Sequence, residues 1–293
     1  MEYVHYSVMA DEVLGYLTPP AEAPAIMVDC TCGEGGHTLR FLSSYPNLSV
    51  VALDRDEAIL EKAKVRMGQY ASRFTPINIA FDDFFKTAGE EMYDLILFDL
   101  GISSYHYEES GRGFSFRKGE TLDMRLDVGQ PISAMDVVNG YPEERLADVI
   151  YRYGEERYSR RIARAIVAER RLSKIQDTER LARIIYTAVP PAYRRGHLHP
   201  ATRSFQAIRI EVNGELDRIE IALAGALRAL KRGGRIAVIS FHSLEDRIVK
   251  WFFKGLDSEQ VRILTKKPVV PTEVERDENP PSRSAKLRVI EKL

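Results

Sequence analysis

The sequence predicts an α/β fold in which an open, doubly wound parallel sheet is interrupted by an inserted all-helical domain. Three observations carry that expectation. Short apolar runs alternate with helical segments from Ile26 to Gly101, the pattern of successive strand–helix–strand units. The alternation lapses between Tyr105 and Thr202, where arginine-rich helical periodicity replaces it. It resumes at Arg235-Ile236-Ala237-Val238-Ile239-Ser240. The expected division is 1–105 with 203–293 for the sheet and 106–202 for the insertion, in keeping with a length of 293 residues.

The first strand, Ile26-Met27-Val28-Asp29, turns through Cys30-Thr31-Cys32-Gly33-Glu34-Gly35-Gly36-His37-Thr38 into a helix. Gly33, Gly35 and Gly36 let the backbone bend where a Cβ would clash, and they leave amide N–H groups for a ligand at the helix N-terminus. Asp29 stands at the carboxyl end of the run, the edge at which open parallel sheets bind ligands. A dinucleotide fingerprint needs G-x-G-x-x-G, but Thr38 occupies the third glycine's place. The second run, Ser49-Val50-Val51-Ala52-Leu53-Asp54, ends in a carboxylate placed to accept hydrogen bonds from two ribose hydroxyls. Either adenosine cofactor satisfies that requirement. Asp29 and Glu34 would repel a pyrophosphate and suit a cation, which favours S-adenosyl-L-methionine over a nicotinamide. An ordinary strand-to-helix turn with solvated acids would carry the same short motif.

Asp56 is placed to cap a helix running through Met67. Pro76–Ala80 reads as the third strand, and Asp94–Gly101 as a fourth, apolar enough to be covered on both faces. Phe81-Asp82-Asp83-Phe84 follows the third strand, where an adenine could lie between an acid and an aromatic. At the end of the fourth, Asp99-Leu100-Gly101-Ile102-Ser103-Ser104 sits where a substrate would face a cofactor lying across the first strands. Enzymes that methylate exocyclic base amines often place Asp/Asn/Ser-Pro-Pro-aromatic there. This chain keeps only Asp99, so a stacking ring would come from Tyr105, His106, Phe114 or Phe116. Asp99 as a helix cap, and those rings as core packing, are the competing readings.

Within the insertion, Pro142 opens a helix through Ile150, Ser159–Val167 keeps apolar residues at helical spacing, and Pro190-Pro191 ends a third helix. Ala192–His199 is a basic aromatic loop; His197 and His199 have no third ligand nearby, and no metal site is expected. The net charge of -1 hides an asymmetry: from Glu143 to Arg209 there are 15 basic against 8 acidic residues, a local charge of +7 on a body of -8. Such a block suits a nucleic-acid surface, although a solvated arginine face looks the same in sequence.

A long helix from Phe205 to Leu230, closed by Gly233-Gly234, then leads to the fifth strand. Phe241-His242-Ser243-Leu244-Glu245-Asp246-Arg247 follows, which puts Ser240 and His242 at the carboxyl edge beside Asp99. Val261–Thr265 and Lys286–Ile290 complete the sheet as an edge hairpin. No apolar run reaches the ~18 residues of a bilayer span, and no signal segment opens the chain, so a cytoplasmic location is expected. Cys30 and Cys32 read as small buried residues.

Five motifs then occur in order: Asp99–Ser104, Gly111-Arg112-Gly113-Phe114-Ser115-Phe116, Leu122-Asp123-Met124-Arg125, Thr202–Ile210 and Ser240–Arg247. Together, from His5 to Arg288, the chain resembles the MraW (RsmH) family of methyltransferases. The resemblance implies a Rossmann-like class I methyltransferase sheet and transfer of a methyl group from S-adenosyl-L-methionine to the N4 amine of a cytidine in the decoding centre of bacterial 16S ribosomal RNA. It implies that RNA, in the small ribosomal subunit, as the partner, with no membrane and with a homodimer possible. Cofactor contacts carried over from the family fall on Gly35, Gly36, His37, Asp54, Phe84 and Asp99, with His106 where the family usually has glutamine. Asp29 and Gly33 join them from the turn itself. Asp99 is expected to hold the reacting amine, with Ser103 and His242 as further catalytic candidates. Ser7 stands where the family usually has proline, and Pro281-Ser282 departs from its tail motif. The rival readings are an RNA-binding ribosome assembly factor that holds the cofactor without turnover, and a nicotinamide-dependent dehydrogenase.

Overall fold

Each apolar run that ends in a polar residue forms a strand of one sheet, in a computed structural model that describes residues 7–293. The strands are β1 (Ala25–Asp29), β2 (Leu48–Asp54), β3 (Phe74–Asn78), β4 (Tyr93–Asp99), β5 (Leu230–Ser240), β6 (Val261–Ile263) and β7 (Lys286–Lys292). Their order is β3-β2-β1-β4-β5-β7-β6. The first five in that row are mutually parallel, whereas β7 runs antiparallel to both β5 and β6. His5, where the family resemblance begins, lies outside the described residues.

The chain divides into two units, Met1–Ile102 with Leu216–Leu293, and Ser103–Glu215. In the first, the sheet is covered on both faces, which explains why β4 is apolar throughout. Leu95 and Leu97 of β4 pack with Met27, Ala237 and Val289 under α1 (Ala10–Tyr16), α2 (Gly36–Ser44) and α3 (Glu57–Arg66). Ile96 and Phe98 point the other way, with Val28, Ile236 and Val238, into a layer that includes Phe85 of α4 (Phe81–Thr87). Asp56 caps α3 by accepting from the Ala58 amide at 3.1 Å. Cys30 and Cys32 are buried, free thiols.

The second unit holds α5 (Ser104–Glu108), α6 (Ala134–Gly140), α7 (Glu143–Gly154), α8 (Ser159–Leu172), α9 (Thr178–Ala188) and α10 (Ala201–Asn213). α7 and α10 approach closely at Gly154, where an added Cβ would stand 2.5 Å from the Arg203 carbonyl oxygen. The glycine-rich loop before α6 is held by side chains rather than by regular structure. Arg112 donates to the carbonyls of Arg125 and Leu126 at 3.0 and 3.1 Å, and Asn213 bonds Met124 and Leu126 at 2.8 and 3.0 Å.

Two expectations are corrected here. The single helix from Phe205 to Leu230 is two: α10 stops at Asn213, Gly214 adopts φ 59°, and α11 (Glu215–Ala229) begins anew. Asn-Gly is the C-terminal stop a left-handed cap requires, and continuous apolar spacing on either side masks it. Gly233-Gly234 does not close that helix either. Both lie inside β5, at a register shift where Tyr93 pairs with Leu230 but Leu95 with Arg235. The absence of a Cβ lets β5 pass β4 there, since one on Gly234 would sit 2.8 Å from the Asp94 carbonyl oxygen. The closing pair β6 and β7 is joined through α13 (Glu273–Glu278), and β7, not β6, takes the inner place.

Candidate active site at the carboxyl edge

Three neighbouring parallel strands each end in aspartate: Asp29 on β1, Asp54 on β2 and Asp99 on β4. They have different environments, and the glycine turn between β1 and α2 creates the difference. Asp29 is 1 % exposed; Thr38 Oγ1 donates to its Oδ2 at 2.7 Å and the Thr31 amide to its Oδ1 at 3.3 Å. It therefore braces the turn from beneath, and its burial pushes the carboxyl above the ordinary range despite those bonds and the nearby His37. Asp54 accepts from the Gly33 amide and the Asp56 amide, both at 2.9 Å. Its carboxylate therefore stands at the end of β2, beside the glycine turn. Asp99 is fixed through its backbone, whose amide donates to Thr31 Oγ1 at 2.7 Å.

The turn brings His37 to Asp99. Gly33 and Gly35 adopt φ 54° and 80°, conformations that admit glycine most readily. Gly35 also lies against Met67 of the α3 C-cap, where a Cβ would be 2.8 Å from Cε. α2 then starts with no side chain capping its first turn. His37, its second residue, is 5 % exposed and places Nε2 3.5 Å from Asp99 Oδ2. That separation is an ion-pair contact rather than an aligned hydrogen bond. Burial pushes the imidazole pKa down, but contact with Asp99 and the charge of Asp29 outweigh it, and the group sits above its ordinary value.

Among the described residues, Asp99 Oδ1 and His37 Nδ1 are buried without a hydrogen-bond partner. Buried polar atoms are seldom left so, and orphans beside an uncapped helix start and a second strand-end acid mark where a polar ligand fits. A nucleoside with a cationic group suits this donor and acceptor set: the Asp54 carboxylate for a diol, the Gly35–His37 turn for a small polar head, and Asp99 for positive charge.

Other expected residues fall elsewhere. Phe84 is a correction: its ring meets Phe85 edge-on with centroids 5.2 Å apart and lies tilted 6.0 Å from Tyr93, the first residue of β4 and the end opposite Asp99. α4 starts at the carboxyl edge and runs away from it, so a residue one turn along has left the edge. Phe81, at the helix start, is the aromatic that stays, with its ring 5.6 Å from Phe98, the neighbour of Asp99. Asp82 is not open to an adenine either, being 4 % exposed and bound by Arg218 at 2.6 Å. His242 is the N-cap of α12 (Ser243–Gly255). Its Nδ1 accepts from the Glu245 amide at 3.4 Å while Glu245 Oε2 accepts from the Phe241 and His242 amides at 2.8 and 3.2 Å. Ser240 donates to the Lys286 carbonyl at 3.4 Å.

In the helical unit, Ser103 caps α5 by accepting from the Tyr105 amide at 3.3 Å. His106 is 3 % exposed, with its ring 5.2 Å from Phe114. Sequence reasoning missed Thr31 as the residue that sets Asp99, and Glu245 as the partner of His242. The second was readable as a cap residue followed three positions later by glutamate.

A doubly wound sheet in this strand order, with a reversed β7 between β5 and β6 and acids ending β1, β2 and β4, is the Rossmann-like sheet of the class I methyltransferases. The family follows from the whole chain. The protein belongs to the MraW methylase family, whose model matches residues 2–293. It is 47 % identical over 311 aligned positions to ribosomal RNA small subunit methyltransferase H of Treponema denticola, spanning 100 % of this chain and 98 % of that one. To the protein of that name in Leptospira interrogans it is 44 % identical over 300 positions, spanning 100 % and 90 %. Among solved structures, an rRNA methylase from Streptococcus thermophilus aligns over 97 % of this chain and 93 % of its own, with 13 % identity and a TM-score of 0.46.

Proposed function

We propose that the protein methylates the N4 amine of a cytidine in the decoding centre of bacterial 16S ribosomal RNA, with S-adenosyl-L-methionine as donor. The observation that carries this reading is Asp99, whose backbone is fixed by Thr31 and whose buried Oδ1 has no partner among the described residues. The donor, when bound, supplies a methyl group on a sulfonium. Asp54 holds the ribose hydroxyls, the Gly35–His37 turn receives the polar head, and Phe81 rather than Phe84 provides the ring at the adenine. Asp99 accepts the N–H of the incoming amine, orients its lone pair, and is the nearest base for the proton released. The amine of cytosine is a poor nucleophile because its lone pair is delocalised into the ring, so alignment and an acceptor are what the protein must supply. His242 serves as the cap of α12 and Ser103 as the cap of α5, roles their hydrogen bonds support.

The helical unit recognises the RNA around the target, and the target itself is unpaired or flipped out, because a stacked cytosine could not reach a pocket at a strand edge. The substrate is RNA of the small ribosomal subunit, as the names of the relatives suggest, and the reaction belongs to the cytoplasm. Small subunits from a strain lacking this enzyme, incubated with the protein and methyl-labelled donor and digested to nucleosides, should yield labelled N4-methylcytidine. Binding of RNA and donor without any labelled nucleoside would replace the enzyme by a non-catalytic assembly factor; label on another atom would move the target.

A further inference from the structure

α12 carries a feature that methyl transfer does not use. Arg247, Lys250, Trp251 and Lys254 fall at positions i, i+3, i+4 and i+7 of this helix, so they share one face. Trp251 is the chain's single tryptophan, and it is 62 % exposed. The ammonium groups of Lys250 and Lys254 stand over its ring, 5.6 and 5.5 Å from the centroid. The opposite face of the helix holds it to the sheet through buried Val249 and Phe253, so the placement of α12 does not depend on the indole. Beside the indole lies an open groove of about 510 Å³ floored by Ile248, Phe252 and Leu256, with Glu220 of α11 on the far wall.

We propose that this groove is a second RNA-contact surface, in which an unpaired base stacks on Trp251 while Arg247, Lys250 and Lys254 meet the flanking phosphates; this rests on the reading of the chain as an RNA methyltransferase. Charge complementarity selects the occupant. Three cations around one exposed aromatic ring, on an apolar floor, match the stacking platforms of single-strand binders, in which basic side chains track the backbone and rings take the bases. An exposed cation–π contact is weaker than a base–aromatic stack, so a base displaces the lysine head groups and turns them toward phosphate. Glu220 repels phosphate from the floor and accepts from the amino edge of a base, which keeps the backbone at the rim. A paired strand does not fit, since its bases are not open to stacking. An acidic protein would use the cations without stacking on the indole, and a second copy of this chain would cover it without RNA.

Because Trp251 is the only tryptophan, emission excited at the red edge of the indole band, where tyrosine does not absorb, reports this groove alone. The full-length protein is titrated with an unlabelled cytidine octamer and, separately, with polyglutamate of matching charge, while anisotropy of a fluorescein-labelled octamer measures affinity for wild type, Trp251→Phe and Trp251→Ala. The octamer should quench emission saturably and polyglutamate should not. Trp251→Phe should bind within about twofold of wild type, and Trp251→Ala should lose about tenfold, as expected when one base–aromatic stack is removed. Octamer binding without quenching, or unchanged affinity in Trp251→Ala, overturns the groove while leaving RNA as the substrate. Equal quenching by polyglutamate replaces RNA by an acidic protein, an emission shift that depends on protein concentration alone replaces it by a second copy, and no octamer binding at all also overturns it. Failure of the RNA methyltransferase reading itself shows separately, as the absence of labelled nucleoside in the subunit assay.

Discussion

The sheet edge and the helical unit handle charge in opposite ways. At the edge, Asp29 and His37 are 1 % and 5 % exposed, and Asp99 reaches His37 from a backbone held by Thr31. Few groups are present and each is fixed, which is the arrangement that discriminates one small ligand from another. In the helical unit the arginines divide. Arg160, Arg161 and Arg164 of α8 are exposed, the last in a surface ion pair with Glu143 at 3.5 Å, whereas Arg170 of the same helix donates to the carbonyls of Val138 and Tyr141 at 2.8 and 2.7 Å. Arg209 is likewise held by Glu215 at 2.8 and 2.9 Å. The local charge of +7 is therefore part scaffold and part available surface, and solvated cations give affinity that salt removes rather than selectivity.

The largest effect that can break this contrast belongs to Asp99. Asp99→Ala should lower single-turnover methylation at saturating donor by about 10² to 10⁴, the range of positioned acid-base groups, with Asp99→Asn keeping part of the rate. A normal rate once saturated, with only donor affinity lost, would make Asp99 a binding residue. Asp54→Ala should cost about 1.5 to 3 kcal/mol of donor binding, roughly tenfold to a hundredfold, without the same loss of rate at saturation. Calorimetric titration reads it directly, and an unchanged dissociation constant would remove Asp54 from the site.

Reversing Arg160, Arg161 and Arg164 to glutamate should flatten the plot of log RNA affinity against log salt by about 0.7 per lost phosphate contact, or about two in all. Arg170→Ala is the control that sharpens the point: it should lower the melting temperature and leave that slope alone, because its guanidinium serves Val138 and Tyr141. Equal slopes in wild type and the triple variant would mean that the exposed arginines are only a solvated face.

The smallest effect is a pH dependence. The His37 imidazole is held above its ordinary value of 6.5, so its contribution to the stability of the donor-free protein is complete below 6.5 and is lost as pH rises through the raised value. His37→Gln should abolish that step in thermal midpoints measured across the window just above 6.5, and an unaltered profile would assign the step to another group.

Much of this was written in the sequence, and the exceptions have physical causes. The strands and their terminal acids were legible because an apolar run covered on both faces cannot contain charge, so the first acid marks the edge. That Asp29 would be buried as a brace beneath the turn was not legible, since it depends on Thr38 returning one helical turn later. Phe84 comes from the family resemblance alone; that Phe81 is the ring left at the edge depends on where α4 begins, and a helix start without a side-chain cap leaves no signature. The long helix ran through Gly214 because its apolar spacing is in phase on both sides, and periodicity outweighed a stop signal that Asn213-Gly214 does contain.

The pairing of β4 with β5 sets how the chain can fold. Leu97 lies beside Ala237 and Asp99 beside Ile239, partners 140 positions apart in the chain. Closing such a span rather than a crossover of a dozen residues costs about 2 kcal/mol more in chain entropy, since each doubling adds about 0.6. As the chain is synthesised, β1 to β4 emerge as a half-sheet whose β4 edge stays unpaired until the whole helical unit has been made, and unpaired parallel edges are slow to close and prone to misassociate. Early folding of α7 to α10 into a unit of its own shortens the effective span, so changes inside the helical unit should appear first as slower completion of the sheet rather than as loss of the finished site.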